Sequence, residues 1–185
     1  MYRIERSRWE DLAHLPAIEE RAGELFRHFP ATAHLPLYTS SVEDFEGAHG
    51  RDLLWVARSD PGGPVGFALV EMLGGVPHLE EVDVLPEHGR RGLGKALVER
   101  VCDWGRDSGF ETLTLCTFRD VPWNAPFYGR LGFRILQRGE RTAALDERLD
   151  EEARHGLPRD LRVAMARRLW DERPPPIRRT GTAAG

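Results

Sequence analysis

The sequence predicts an α/β (α+β) fold, in which a mixed, mostly antiparallel central sheet is flanked by helices. Three features carry that expectation. Residues 53–58 (LLWVAR) and 65–73 (VGFALVEML) are apolar segments joined by the turn-rich Ser59-Asp-Pro-Gly-Gly-Pro64, the pattern of an antiparallel strand pair. A further strand at 78–85 follows directly after the turn residues Gly74 and Gly75. Leu93, Leu97, Val101 and Trp104 then step by four, four and three, which puts one apolar stripe on a helix ending near Gly109.

The other elements fill in around these. Residues 2–6 alternate and form a short first strand. From Trp9 onward Leu12, Leu15, Ile18, Ala22, Leu25 and Phe26 recur at helical spacing, with Pro16 marking a first turn or a break. Residues 28–41 are irregular around Pro30 and Pro36, and Ser41 is a candidate cap for a short helix. Residues 112–117 (TLTLCT) form a β-branched strand, 124–131 a short helix stopped by Gly132, and 133–136 a strand. A charged helix over 143–155 ends at Gly156, and 162–169 supply the last strand. Three consecutive prolines and small polar residues place 171–185 in a disordered tail, so a single domain spanning 1–170 is expected.

Composition narrows the function class. A formal charge of −4 over 185 residues gives no electrostatic footprint for nucleic acid. The apolar runs are too short to span a membrane. Cys102 and Cys116 sit inside apolar periodic segments and lack metal-ligand spacing, so no metal site and a reduced, cytoplasmic setting are expected.

The most informative stretch is Val82-Asp-Val-Leu-Pro-Glu-His-Gly-Arg-Arg-Gly-Leu-Gly-Lys95. A strand ends near Pro86 and a helix begins near Gly92. A helix N-terminus offers unpaired amides and partial positive charge to an anionic phosphate. Gly92 and Gly94 allow close approach of a diphosphate, and Arg90, Arg91 and Lys95 add charge-assisted partners. Gly89, Gly94 and Lys95 also stand at Walker-loop spacing, but Ala96 occupies the position of the magnesium-binding hydroxyl. A dinucleotide-binding loop would follow an early strand of a βαβ unit, and here three antiparallel strands come first. Alone, the loop points to a phosphate site without naming a reaction.

The run from His88 to Lys95, after Val84-Leu-Pro86, resembles the acetyl-CoA signature Q/R-x-x-G-x-G/A of the GNAT acetyltransferase superfamily. Gly92 and Gly94 take the small positions, and Gly89 stands where Gln or Arg is usual. A second stretch, Asn124-Ala-Pro-Phe-Tyr-Gly-Arg-Leu-Gly-Phe133, resembles the family's Phe-Tyr helix followed by Gly-Phe. The resemblance implies a GNAT fold whose sheet splays at the cofactor-binding strand. It implies acetyl-CoA as cosubstrate, with the diphosphate on Arg90, Arg91, Gly92, Leu93, Gly94 and Lys95. The pantetheine amides would lie along Val82, Asp83 and Val84, beside Asn124 and Phe127. Tyr128 would be the acid toward the departing thiolate, a phenol with an ordinary pKa of about 10. Asn seven residues before the tyrosine is frequent in the family, and Val121 occupies that position here; Asn124 is equally a helix N-cap.

Attack on a thioester needs a neutral amine and therefore a base or a water relay. His78 and Glu80 share one strand face and fall where several GNAT enzymes place a His or Glu. Strict alternation puts Glu81 and Asp83 on the other face, unless a bulge intervenes, and Glu71 is a weaker candidate. His78 could equally begin the strand at the surface. The leading expectation is an N-acetyltransferase acting on a small-molecule primary amine by direct attack in a ternary complex. The alternatives are a protein N-terminal or lysine acetyltransferase and a non-catalytic acyl-CoA sensor. A homodimer is compatible with the sequence. Acceptor choice is expected to rest on residues 27–50 and 143–157.

Overall fold

The computed structural model describes residues 1–36 and 38–170, and the tail expected at 171–185 lies outside them. The strands are β1 (Tyr2–Arg6), β2 (Leu54–Ser59), β3 (Pro64–Leu73), β4 (Val76–Val84), β5 (Thr112–Phe118), β6 (Arg134–Ile135) and β7 (Arg162–Arg168). The helices are α1 (Leu15–Gly23), α2 (Val42–His49), α3 (Leu93–Asp107), α4 (Ala125–Arg130) and α5 (Ala143–Arg154). These follow the expected order. Pro16 occupies the first turn of α1, where its missing N–H costs nothing, and 3-10 turns at Trp9–His14 and Glu24–His28 flank the helix. Ser41 precedes α2, its amide donating to Asp44 Oδ2 at 2.7 Å. The strand expected over 133–136 contracts to the two residues of β6.

The seven strands form one sheet in the order β1-β2-β3-β4-β5-β7-β6. All neighbours pair antiparallel except β4 and β5, which are parallel. The last strand slots between β5 and β6, pairing with β5 from Thr112↔Arg168 to Phe118↔Arg162. Leu93, Leu97, Val98 and Val101 of α3 are buried on the sheet, within a core that includes Trp55, Phe67, Leu79 and Leu113. Burying such side chains stabilises the fold by roughly 1.5–3 kcal/mol each, an upper estimate. α1 also packs on β3 and β4, with Leu15 and Ile18 buried.

Two irregularities position the site. β4 and β5 meet only at His78↔Thr114, so the rest of β4's edge on that side pairs with no strand. The register between β3 and β4 also slips: Val70 pairs with Leu79, but Leu69 pairs with Glu81. Glu80 is the extra residue of a β-bulge.

Gly66 lies close against β4, paired with Val84. A Cβ there would stand 2.6 Å from the Asp83 carbonyl oxygen, a backbone atom that cannot swing aside. Gly66→Ala is expected to destabilise the fold by about 1–3 kcal/mol, measured as a lower urea midpoint at unchanged slope; an unchanged midpoint would show that β4 yields at this point.

Candidate active site

Where β4 and β5 part, a cavity of about 650 Å³ is bounded by both strands, α1, Tyr128 of α4 and the irregular segment before α2. Its lining is strongly acidic. Glu19, Glu20, Glu24, Asp44, Glu71, Glu80, Glu81, Asp83 and Glu152 face it, against Arg27 and Arg162.

The bulge explains how Glu80, Glu81 and Asp83 all reach one cavity. In an unbroken strand Glu80 and Glu81 would point to opposite faces. The register pairs Glu71 with His78 and Leu69 with Glu81, so Glu81 and Asp83 return to the face of His78. The alternation that sets Glu81 and Asp83 apart from His78 and Glu80 is therefore corrected by the structure. Burial pushes the Glu80 carboxyl up to about 7, partly offset by the Arg148 guanidinium. Glu81 and Asp83 share a hydrogen bond, and burial holds both above the usual carboxylate range. The charges of Asp83 and Glu19 add to the rise at Glu81, whereas at Asp83 the bond to Glu81 works against burial and Glu19 adds to it. Glu19 is also raised by burial, against hydrogen bonds from Ser40 N at 2.9 Å and Ser40 Oγ at 3.1 Å.

His78 is neither at the surface nor on the cavity wall. It is 1% exposed, and its Nδ1 lies 2.9 Å from Thr114 Oγ1. Burial, then Arg148 and Arg162, depress its pKa to about 3, so the ring is neutral. Its Nε2 stands behind Glu80, 3.7 Å from Oε2. Of His78 and Glu80, only Glu80 lines the cavity; Glu71, the weaker candidate, also lines it but is paired with Arg148.

Tyr128 lines the cavity opposite β4, wedged between the rings of Phe127 and Phe133 at 5.1 and 5.7 Å. Burial, then the charges of Asp83 and Glu81, raise its pKa above the ordinary phenol value. It therefore holds its proton throughout the neutral range. Asn124 precedes α4, yet its side chain makes no capping hydrogen bond, and its buried Oδ1 has no partner. The capping role read from the sequence gives way to an unsatisfied acceptor on the cavity wall.

At the other end of β4, Gly92 begins α3 with φ 80 and has no atom near the position of an added Cβ. No side chain caps α3, so its first amides are left to other partners. Arg90 adopts φ 57. Arg90, Arg91 and Lys95 form no ion pair among the described residues, although Arg91 lies 6.0 Å from the Tyr2 ring. A Cβ on Gly94 would stand 3.7 Å from Phe127 Cζ, so the two sequence motifs meet here. The uncapped start of α3 at Gly92, Leu93 and Gly94 follows the free β4 edge at Val82, Asp83 and Val84 in the chain, after one turn at Pro86–His88. Val82 and Val84 are half-buried against the core.

Burial pushes the thiols of Cys102 and Cys116 up to about 11 and about 12, which removes them as nucleophiles near neutrality. Among the described residues no His, Cys, Asp and Glu cluster could hold a metal ion, and no helix is long and apolar enough to cross a membrane. Sequence reasoning missed Glu19 and Arg148, which reach the site from α1 and α5 by tertiary packing alone. No local motif marks either.

Residues 9–133 match the Acetyltransferase (GNAT) family. The peptidyl-lysine N-acetyltransferase YjaB of Salmonella typhimurium is 31% identical over 140 residues, 76% of this chain and 88% of that protein. The glucosamine 6-phosphate N-acetyltransferase of Trypanosoma brucei brucei is 38% identical over 66 residues, 36% of this chain and 43% of that protein. The N-acetylglutamate synthase of Neisseria gonorrhoeae, solved with coenzyme A and N-acetyl-glutamate, superposes with a TM-score of 0.69 at 18% identity. That likeness, one of fold, covers 92% of this chain and 35% of the synthase chain.

The crowded carboxyls make stability depend on pH. Asp83 keeps its proton in the folded state up to a raised pKa, whereas the unfolded chain releases it near pH 4. The folded state then binds more protons, so stability falls as pH rises through that window. Asp83→Asn is expected to be near neutral at pH 4 and to stabilise by about 1–2 kcal/mol at pH 8. Urea unfolding at the two pH values measures this, and destabilisation by Asp83→Asn at pH 8 would contradict it.

Proposed function

Because the chain belongs to the acetyltransferase (GNAT) family, we propose that it transfers the acetyl group of acetyl-CoA to the primary amine of a small molecule by direct attack in a ternary complex. The observation that carries this reading is the acidic cavity between Glu80 and Tyr128, at the gap between β4 and β5. A cavity with nine carboxyl side chains and two arginines on its walls attracts an acceptor that arrives as an ammonium ion.

The residues fit acetyl-CoA at three points. The uncapped start of α3, with Gly92 and the unpaired Arg90 and Lys95, suits the diphosphate. The β4 edge at Val82, Asp83 and Val84 offers backbone groups to the pantetheine amides. The orphaned Asn124 Oδ1 is an acceptor awaiting an N–H donor. When bound, acetyl-CoA supplies the activated thioester carbonyl.

Glu80 takes the proton of the acceptor ammonium. A pKa of about 7 leaves much of its carboxyl ionised near neutrality and makes it a stronger base than an ordinary glutamate. Glu81 and Asp83 line the same wall and hold the cation beside it. Tyr128 donates a hydrogen bond to the departing sulfur. Its pKa lies above that of a thiol, so the phenol stabilises developing charge more than it surrenders its own proton. Substrate access is shaped by Phe26, Arg27 and Tyr38 from the segment before α2 and by Glu152 of α5.

A lysine side chain within a peptide is the second reading, favoured by the 31% identity to a peptidyl-lysine N-acetyltransferase. Release of free thiol from acetyl-CoA, measured over a panel of small amines and lysine peptides, separates the two. Small amines should support turnover. Release with lysine peptides alone would favour the second reading, and no amine-dependent release would overturn both. Tyr128→Phe should lower turnover by about 10–100-fold and leave calorimetric acetyl-CoA affinity unchanged; an undiminished rate would remove Tyr128 from the mechanism.

A further inference from the structure

Each carboxyl oxygen of Glu80 has its own neighbour. Oε1 lies 3.2 Å from Arg148 Nη1 of α5, whose other terminal nitrogen pairs with Glu71. Oε2 faces His78 Nε2 at 3.7 Å. The state of that imidazole follows from counting protons. The Thr114 hydroxyl has one proton and donates it to the Pro77 carbonyl oxygen at 3.2 Å. The Pro77 oxygen can pair with Oγ1 only by accepting that proton, so both contacts are satisfied together when Oγ1 accepts from His78 Nδ1, 2.9 Å away. Nδ1 carries the ring proton, and the neutral ring turns the Nε2 lone pair on Glu80. A lone pair repels a carboxylate oxygen but accepts a hydrogen bond from a carboxylic acid, and a small rotation of the carboxyl closes the gap.

We propose that Arg148 and His78 are positioning residues for opposite protonation states of Glu80: Arg148 holds the carboxylate through Oε1, and His78 Nε2 accepts the proton once it sits on Oε2. This rests on the reading of Glu80 as the base. The acceptor R–NH₃⁺ loses one proton to Oε2, which frees the nitrogen lone pair for attack and leaves Glu80 a neutral acid. A second proton leaves nitrogen as the amide forms and is taken up by the departing sulfur. Glu80 then returns its proton to water.

Other charges face Glu80. Glu71 lies on β3, Glu81 on β4 and Cys116 on β5, and Glu152 and Arg162 reach in from α5 and β7. Cys116 stays a neutral thiol. Glu152 and Arg162 pair with each other at 2.7 Å and largely cancel. Glu71 is paired with Arg148 itself, and Glu81 holds its proton above the usual range. Against the upward push of burial, Arg148 and His78 are the groups that face the two Glu80 oxygens directly.

Two measurements on the full chain, without substrate, test this. Nitrogen NMR of the His78 ring should show a protonated Nδ1 and an unprotonated Nε2 from about pH 5 to about pH 8; a protonated Nε2 would overturn the proposal without any variant being made. Carbon NMR of the Glu80 carboxyl, assigned with Glu80→Gln, should titrate near neutrality. Removing the cation with Arg148→Met should move that midpoint up by about one pH unit, and Arg148→Lys should restore it. Removing the acceptor with His78→Phe should move it down. Midpoints that stay fixed, or that shift in the same direction, would overturn the proposal. If the wild type shows these signatures but acetylates no amine, the acetyl-transfer reading fails and the two-sided hold on Glu80 stands.

Discussion

The single bridge between β4 and β5 governs the architecture of the site. Beyond His78↔Thr114 the two strands part, although both continue for several residues. Sheets ordinarily satisfy backbone groups by pairing along their full length, and an unpaired edge inside a sheet is costly unless something else meets it. Here the free edge of β4 borders the acidic cavity through Glu80, Glu81, Val82 and Asp83. The hydrogen bond between the buried His78 ring and Thr114 Oγ1 sits at the point of divergence.

The gap explains why so much negative charge is tolerated in one place. Glu80, Glu81 and Asp83 would repel one another strongly if all were ionised in a cleft with protein on most sides. Burial raises all three pKa values and neighbouring carboxylates add to the rise, so part of the charge is neutralised by protons. The α5 helix supplies the remainder of the compensation through Arg148, which bridges Glu71 and Glu80. A site that takes up ammonium ions gains from such a store of charge that is only partly expressed until a cation arrives. The cost is carried by the well-packed core beneath α3.

What the sequence disclosed was local. The apolar step of α3, the β-branched run of β5 and the glycines before α3 each depend on neighbours a few residues away, and each lies where it was expected. Phe127 and Tyr128 were legible because a short helix with fixed flanks carries them. Features requiring distant partners were not. β7 inserts between β5 and β6 because its residues match β5, a pairing across tens of residues that periodicity does not encode. The alternation rule failed at the single extra residue Glu80, and that slip turned Glu81 and Asp83 into the cavity. His78 could be read as a base candidate or as a strand opener at the surface, because nothing nearby announces that Thr114 covers it. Asn124 had the sequence context of a cap, but its backbone φ of −110 and ψ of −115 sets the side chain to make no capping hydrogen bond.

If the parted edge of β4 is the seat of the cofactor, it should change its hydrogen bonding when acetyl-CoA binds, while the paired strands should not. Amide hydrogen exchange of the full chain, followed with and without saturating acetyl-CoA, tests this most directly. Protection should rise at Val82, Asp83 and Val84 and over residues 90–95, and remain unchanged in β1 and β7. Protection confined to other elements, or absent despite measured binding, would contradict the assignment of this gap as the acetyl-CoA site.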